Sequence, residues 1–224
     1  MGSFIRVLDN PLIDEIVVVD DCSDQEVFLR LKVLITKVNN RKIKLYRNKS
    51  NLGPLMNKYK AVKQCINDWV VLLDSDNIID NDYINVVNNL YKEKHILYCP
   101  EKLNSYGDEN NEKWNYEDYS DLFIDKGIAK NNLNDVNFMT MLNTGNYFFN
   151  KNQYIDVMSH SDIDVNLITN DALYFSYLWM DRGNFIKVVP NLEYIHRIHK
   201  GSWYLCHRHS CEEIAHEIIE KLKV

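Results

Sequence analysis

No stretch of this chain stays apolar for the roughly 20 residues that a membrane-spanning helix needs, and the N-terminus lacks the basic-then-apolar order of a secretory signal. The expected location is therefore the cytoplasm, with peripheral membrane association compatible. Met1-Gly2-Ser3 resembles the start of a myristoylation signal, but Arg6 stands where Ser or Thr is required. No block of Lys and Arg offsets a formal net charge of −6, which excludes a nucleic-acid partner bound by neutralising many phosphates. Neither an internal repeat nor a low-complexity linker divides the 224 residues, so one domain is expected. The cysteines are five, an odd number, and without a secretory signal they read as reduced thiols. Cys206-His207-Arg208-His209-Ser210-Cys211 offers soft ligands, but its spacing fits no common zinc module and it runs straight into an amphipathic stretch, so it reads as a helix start.

What the chain does have is a pair of carboxylates at the end of an apolar run, Trp69-Val-Val-Leu-Leu-Asp-Ser-Asp-Asn77. Trp69 to Leu73 is too short for a helix and rich in Val and Leu, as in a buried strand of a parallel sheet. An α/β sheet places its ligands at such a C-terminal strand end. Period-two alternation sends Asp74 and Asp76 to the same side, where carboxylates can share a hard cation such as Mn²⁺ or Mg²⁺ with phosphate oxygens and water. The competing reading is an ordinary polar turn, with Asp76 capping the next helix.

Other segments supply a frame. Glu15 to Asp20 is a second β-branched run ending in Asp, and Ser23 with Glu26 forms a capping-box pattern opening a helix to about Lys37. A short strand over Ile43 to Tyr46, a turn at Asn51-Leu-Gly-Pro54 and a helix over about Leu55 to Ile66 precede the Trp69 strand. A helix near Asp82 to Tyr91 and a strand from His95 to Cys99 follow it. Strands alternating with helices predict a doubly wound, mostly parallel α/β sheet flanked by helices. From Glu101 to Asn137 the rhythm breaks into a polar crossing segment, with one helix expected around Tyr116 to Ile124. Beyond it the pattern predicts a strand at Tyr147 to Phe149, a helix over Asp171 to Met180, a strand at Phe185 to Val189 and a last helix over Glu212 to Leu222.

Taken in order, Ile16-Val-Val-Val-Asp-Asp-Cys-Ser23, Asn51-Leu-Gly53 with Lys58, Leu73-Asp-Ser-Asp-Asn77, Asn143-Thr-Gly-Asn-Tyr-Phe-Phe149, Asn170-Asp171 and His196-Arg-Ile-His-Lys-Gly-Ser-Trp203 make the chain resemble the family 2 glycosyltransferases, nucleotide-sugar-dependent enzymes of the GT-A fold. The resemblance implies a nucleotide-binding half over residues 1–100 and an acceptor-binding half over residues 101–224. It implies that Asp20 or Asp21 accepts a hydrogen bond from the nucleobase, that Lys58 contacts base or phosphate in place of the usual Arg, and that Asp74 contacts the ribose or the metal shell. Asp76 would be the metal ligand, with His199 joining it and His196 competing for that place; Arg197 and Lys200 would lie near the diphosphate. Thr144, Gly145 and Asn146 would shape the donor-sugar pocket, and Trp203 and Tyr204 would stack on a sugar, with core packing as their alternative. Asp171 would be the catalytic base of a single inverting displacement, although the family's preceding Glu is Asn170 here. The implied donor is a nucleotide sugar, UDP-linked first of all, the cofactor Mn²⁺ or Mg²⁺, and the acceptor a hydroxyl of a glycan or another molecule.

The match departs from the family before Ile16. A further strand, central in the sheet, and a helix normally precede that point, whereas Phe4 to Leu12 reads as the end of such a helix, with a shortened first strand over Ser3 to Leu8 as the alternative. A central gap would leave backbone groups unpaired and puts donor affinity in question. Two other readings stand beside the enzyme. One is a catalytically inactive glycosyltransferase-like domain that binds sugar or a partner. The other is a haloacid-dehalogenase-like phosphatase with Asp74 as nucleophile, disfavoured by the central position of the motif and by Ile78 after Asn77.

Overall fold

The computed structural model describes residues 2–107, 113–160, 170–198 and 208–224. The architecture is the expected α/β, a central sheet flanked by helices. A single helical turn, α1 (Gly2–Ile5), and further turns precede β1 (Ile16–Asp20); no strand comes before β1 among the described residues. Helix α2 (Gln25–Val38) leads to β2 (Ile43–Arg47), and α3 (Gly53–Gln64) leads to β3 (Trp69–Val71). Then come α4 (Asn81–Asn89), the long β4 (Ile96–Gly107), β5 (Lys113–Asn115), β6 (Phe123–Ile124), α5 (Lys126–Asn131), α6 (Val136–Leu142), β7 (Phe148–Asn150) and α7 (Lys151–Ser159). The chain closes with α8 (Asp171–Asp181), β8 (Phe185–Ile198) and α9 (Arg208–Lys223).

Side-chain caps explain several helix starts. Asp80, Asp125, Asp135 and Asn150 each accept a hydrogen bond from a first-turn amide of α4, α5, α6 and α7 respectively. The capping box expected at Ser23 is not made. Ser23 is tied instead to the strand ends, its amide donating to Asp20 Oδ2 and its carbonyl accepting from Arg47, and Asp24 takes the N-cap place without a side-chain bond. The helix expected around Tyr116 to Ile124 is also absent: a 3₁₀ turn (Glu117–Tyr119) and β6 occupy that stretch, because Tyr116 is fully buried and its amide donates to the carbonyl of Glu101. Tertiary contacts override local preference there.

The strands form two sheets. One is the parallel pair β1–β2; the other has six strands in the order β3-β7-β4-β8-β6, with β5 attached to β4. The larger sheet is mixed. β4 and β8 run parallel from Ile96↔Phe185 to Gly107↔Ile198, with an irregularity at Pro100 to Lys102, where proline cannot donate to the ladder. β3 pairs antiparallel with β7 and its residues are half-buried, which corrects the expectation of a buried parallel strand over Trp69 to Leu73. Strand direction leaves no trace in a short apolar run, so periodicity could not have decided it.

Between the sheets lies a seam. Ile16 N–H donates to Lys42 and Asp20 O accepts from Asn48, so alternate residues of β1 face β2 while Val17 and Val19 turn their backbones the other way. Likewise Leu72 N–H bonds Tyr147 O and Lys151 N–H bonds Asp68 O, which turns Trp69 and Val71 away from β7. No backbone ladder joins β1 to β3 among the described residues. Side chains tie the seam. Glu15 accepts from the amides of Ile66 and Asn67 just before β3 and pairs with Lys44 of β2 at 2.7 Å, while Asn57 of α3 donates to the carbonyl of Val19 at 3.3 Å. The expected gap thus takes the form of two sheets held by side chains and α3. The apolar core lies on the side of the larger sheet; between residues 9 and 54 no hydrophobic side chain is buried.

Candidate active site

The site forms where the C-terminal end of β3, the N-terminal turn of α8, helix α3 and the loop before β7 meet. Asp74 leaves β3 with its amide fixed by Asn146 Oδ1 at 3.2 Å, and the turn closes through Asn77 N–H to Asp74 O at 3.1 Å. Lys58 rises from α3 to place Nζ 2.8 Å from Asp74 Oδ1 and 2.8 Å from Asp171 Oδ2. Gly145 (φ +76°) is required beside them. A Cβ there would come within 3.3 Å of Asp74 Oδ2 and 3.6 Å of the Ala172 side chain, in a backbone conformation that L residues avoid.

Burial by itself would push the Lys58 ammonium down, but the Asp171 and Asp74 carboxylates outweigh it and hold Lys58 above the ordinary lysine value. Asp74 shows the opposite balance. Burial raises its carboxyl, Lys58 draws it back, Asp171 and Asp76 push it up again, and the result stays above the usual carboxylate value. The space around the lysine is tight, about 10 Å³, lined by Leu55, Leu72, Tyr147, Tyr154 and Phe175 as well as the charged pair.

Asp171 is the first residue of α8 rather than its N-cap, since Asn170 (φ 57°) holds the cap position without a side-chain bond to the helix. Asn143 does the capping from a distance. Its Oδ1 accepts from Leu173 N–H and its Nδ2 donates to Asn170 Oδ1. A carboxylate in a helix's first turn is favoured by the helix dipole, which suits Asp171 where it stands.

The end of β8 docks on the carboxylate turn. Ile78 and Ile195 exchange two backbone bonds of 2.8 and 2.9 Å, and Asn77 Oδ1 lies 2.8 Å from His196 Nδ1 and 3.4 Å from Arg197 N. Arg197 is exposed at this edge. His199, Lys200, Trp203 and Tyr204 lie outside the described residues, as do Cys206 and His207, and α9 begins at Arg208.

Asp20 and Asp21 are already engaged at the end of β1. Asp20 is 7% exposed and pairs with Arg47 Nε at 3.1 Å; that guanidinium also sits 4.4 Å over the Phe28 ring. Asp21 Oδ1 accepts from Asn48 Nδ2 at 2.8 Å and from Leu52 N–H at 2.9 Å. An open cleft of about 480 Å³ adjoins these groups, lined by Val19, Tyr46, Arg47, Asn48, Leu52 and Lys60 among others. Asn146 is fully buried beneath Asp74 and Thr144 pairs with the Tyr194 hydroxyl at 2.7 Å, so these two hold the loop rather than line open space.

The structure therefore brings Lys58, Asp74, Asn146 and Asp171 into one cluster, sets His196 and Arg197 on the end of β8 against the carboxylate turn, and leaves Asp20 and Asp21 across the seam. Sequence reasoning passed over Asn77, Asn143, Asn48 and Tyr194. Asn77 and Asn143 stand in quoted motifs but without a role there, and Asn48 and Tyr194 stand in none; only the folded contacts reveal what these side chains hold.

A divalent ion would find fitting donors here. Mg²⁺ sites commonly use one or two carboxylates and leave the remaining positions to phosphate and water, and Asp74 and Asp76 supply that number. No third His, Cys, Asp or Glu joins them among the described residues. Cys22, Cys65 and Cys99 are free thiols, as expected.

The sequence pattern described as glycosyl transferase family 2 matches residues 3–155. Among curated proteins none matches the sequence. Of solved structures, GalNAc-T7 crystallised with UDP, GalNAc and Mn²⁺ is similar with a TM-score of 0.62 and 16% identity, over 93% of this chain and 42% of that one. S. aureus TarS 1–349 in complex with UDP gives a TM-score of 0.61 and 17% identity, over 99% of this chain and 60% of that one. TarS 1–349 in a second crystal structure gives 0.61 and 18%, over 88% and 56%. At such identities the likeness shows a shared fold, and the chain spans 42% to 60% of the length of these structures.

Proposed function

Because the chain belongs to glycosyl transferase family 2, we propose that it moves a sugar from a nucleotide donor, UDP-linked, to a hydroxyl acceptor by a single inverting displacement. The observation that carries this reading is the convergence of Asp74 at the end of β3 and Asp171 at the start of α8 on one ammonium, with the end of β8 docked beside them. Carboxylates from a strand end and from a helix N-terminus here reach a common centre, as donor binding and base catalysis together require.

In this reading Asp171 takes the proton of the attacking hydroxyl. Asp74 faces the donor ribose, Arg197 reaches the diphosphate, and Asp21 or Asp20 meets the base across the seam. Trp203 and Tyr204 stack on the acceptor. Asp76, with Asp74 beside it and His199 completing the set, would hold Mn²⁺ or Mg²⁺; His196, the competing candidate, makes no such group with them and is engaged with Asn77 instead. When bound, the ion would neutralise charge on the departing nucleoside diphosphate. GalNAc-T7 was crystallised with UDP and Mn²⁺, and TarS with UDP, which supports a nucleoside diphosphate in this fold.

The test is a donor-hydrolysis screen with UDP-, GDP- and TDP-sugars in Mn²⁺. Asp76→Ala should abolish metal-dependent UDP binding, while Asp171→Asn should leave UDP binding in place and lower turnover by about 10²- to 10⁴-fold. The reverse pattern would exchange the two roles. An inactive sugar- or partner-binding domain is the second reading, favoured by the seam that parts Asp20 and Asp21 from Asp74. A folded sample without turnover or metal-dependent nucleotide binding would establish it. Membership of the family replaces the phosphatase alternative.

A further inference from the structure

We propose that Lys58 is the positioning residue of Asp171, clamping the base carboxylate to Asp74 and so fixing the acceptor side of the site relative to the donor side. The inference rests on the reading of Asp171 as base. Lys58, expected to contact base or phosphate, has two of its three donors committed to carboxylates, each at 2.8 Å, one in the turn after β3 and the other at the start of α8, 113 residues away. The Asp171 carboxylate has no other hydrogen-bond partner among the described residues. Among the described residues, the ammonium alone sets its rotamer.

The surroundings make the clamp hard to replace. Leu55, Leu72, Tyr147, Tyr154 and Phe175 close around it, and the residual space of about 10 Å³ is at the lower limit for one water molecule. Without the cation, two carboxylates would face each other at close range in apolar surroundings. Repulsion would part the two carboxylates and release Asp171, whose carboxylate is held among the described residues through Lys58. A second consequence concerns the donor. A nucleotide contact by Lys58 would have to compete with both carboxylates, so Lys58 contributes to base geometry before it contributes to donor affinity.

Lys58→Met removes the charge at nearly constant length. In its crystal structure the Asp171 carboxylate should be displaced by more than about 1 Å, well beyond the tolerance of a productive site. Turnover in UDP-sugar hydrolysis should fall about tenfold or more while the Kd for UDP with Mn²⁺ changes less than about threefold, a loss of kcat without loss of binding. Lys58→Met in an Asp171→Asn background should cost no further turnover, because the two act as a unit. An undisplaced Asp171 overturns the proposal, and so does a weaker Kd with unchanged turnover at saturation, which marks a plain donor contact. If Lys58→Met does not fold, Lys58→Gln, which keeps amide donors without charge, is read in the same way. Should the wild type hydrolyse none of the donors, the proposed function fails, whereas the position of Asp171 in the variant still decides the clamp.

Discussion

Burial weighs on the ionised form of Asp74 more heavily than Lys58 relieves it, so the folded protein holds this carboxyl above its ordinary value. A raised carboxyl value means that the fold prefers the neutral form. Ionisation therefore costs stability above the raised value, and the cost fades as pH falls through it toward the ordinary carboxylate value of about 3.9. The Tm of wild type relative to Asp74→Asn should therefore rise as pH is lowered from 7 toward that value, on top of whatever the variant loses at every pH by removing a counter-ion of Lys58. Thermal melts across that pH range check it, alongside weaker UDP binding in the same variant. Gly145→Ala presses the same group from the other side. Its positive φ and the 3.3 Å approach to Asp74 Oδ2 predict a loss of about 1–3 kcal/mol in denaturant unfolding. At this scale the sequence was informative about identity and silent about partners. Asp74 and Asp171 stand out in their motifs, but that Lys58 joins them, that Asp20 is taken by Arg47 and that Asn146 is buried under the turn are facts of packing between distant segments.

Among the elements, those with both a period and a local stop signal were legible. β1, α2, β2, α3 and α8 lie within a few residues of their expected places. β4 and β8 run far past theirs, because each borrows the other as a ladder after the apolar run ends. Helices α5, α6 and α7 went unforeseen although Asp125, Asp135 and Asn150 cap them, since a single Asx residue in a polar stretch marks turn and helix start alike. Helix α8 owes its start to Asn143, and Asn143→Ala should lower stability by about 1 kcal/mol, the typical loss of a side-chain cap, with a Tm drop of about 2–4 °C. Helix α2 is the contrary case. None of its residues is buried, and Val27, Leu29, Val33 and Leu34 stand 47–54% exposed. Leu34→Ala should cost under about 1 kcal/mol by chemical denaturation, whereas the fully buried Leu142→Ala should cost about 2–5.

For the molecule as a whole, the imbalance between the sheets has a thermodynamic consequence. The β1–α2–β2 unit brings no buried hydrophobic side chain, so its opening exposes little apolar surface and should need less free energy than global unfolding. Hydrogen exchange should find the amides of β1 and β2 exchanging at least about tenfold faster than those of β4 and β8 in the free protein. Equal protection would show that the seam is no weak point. In the proposed function, a UDP molecule bridging Asp21 and Asp74 would slow exchange in β1 and β2 selectively and raise Tm with the logarithm of its free concentration over Kd.

Glu15 gives the seam a meaning for affinity. Its one carboxylate holds the amides before β3 and the ammonium of Lys44 together. If only a fraction of molecules has the two sheets docked at a given moment, every nucleotide affinity measured on the ensemble is diluted by that fraction. Residues far from the carboxylate cluster, Glu15 first among them, would then set how tightly a nucleotide is held.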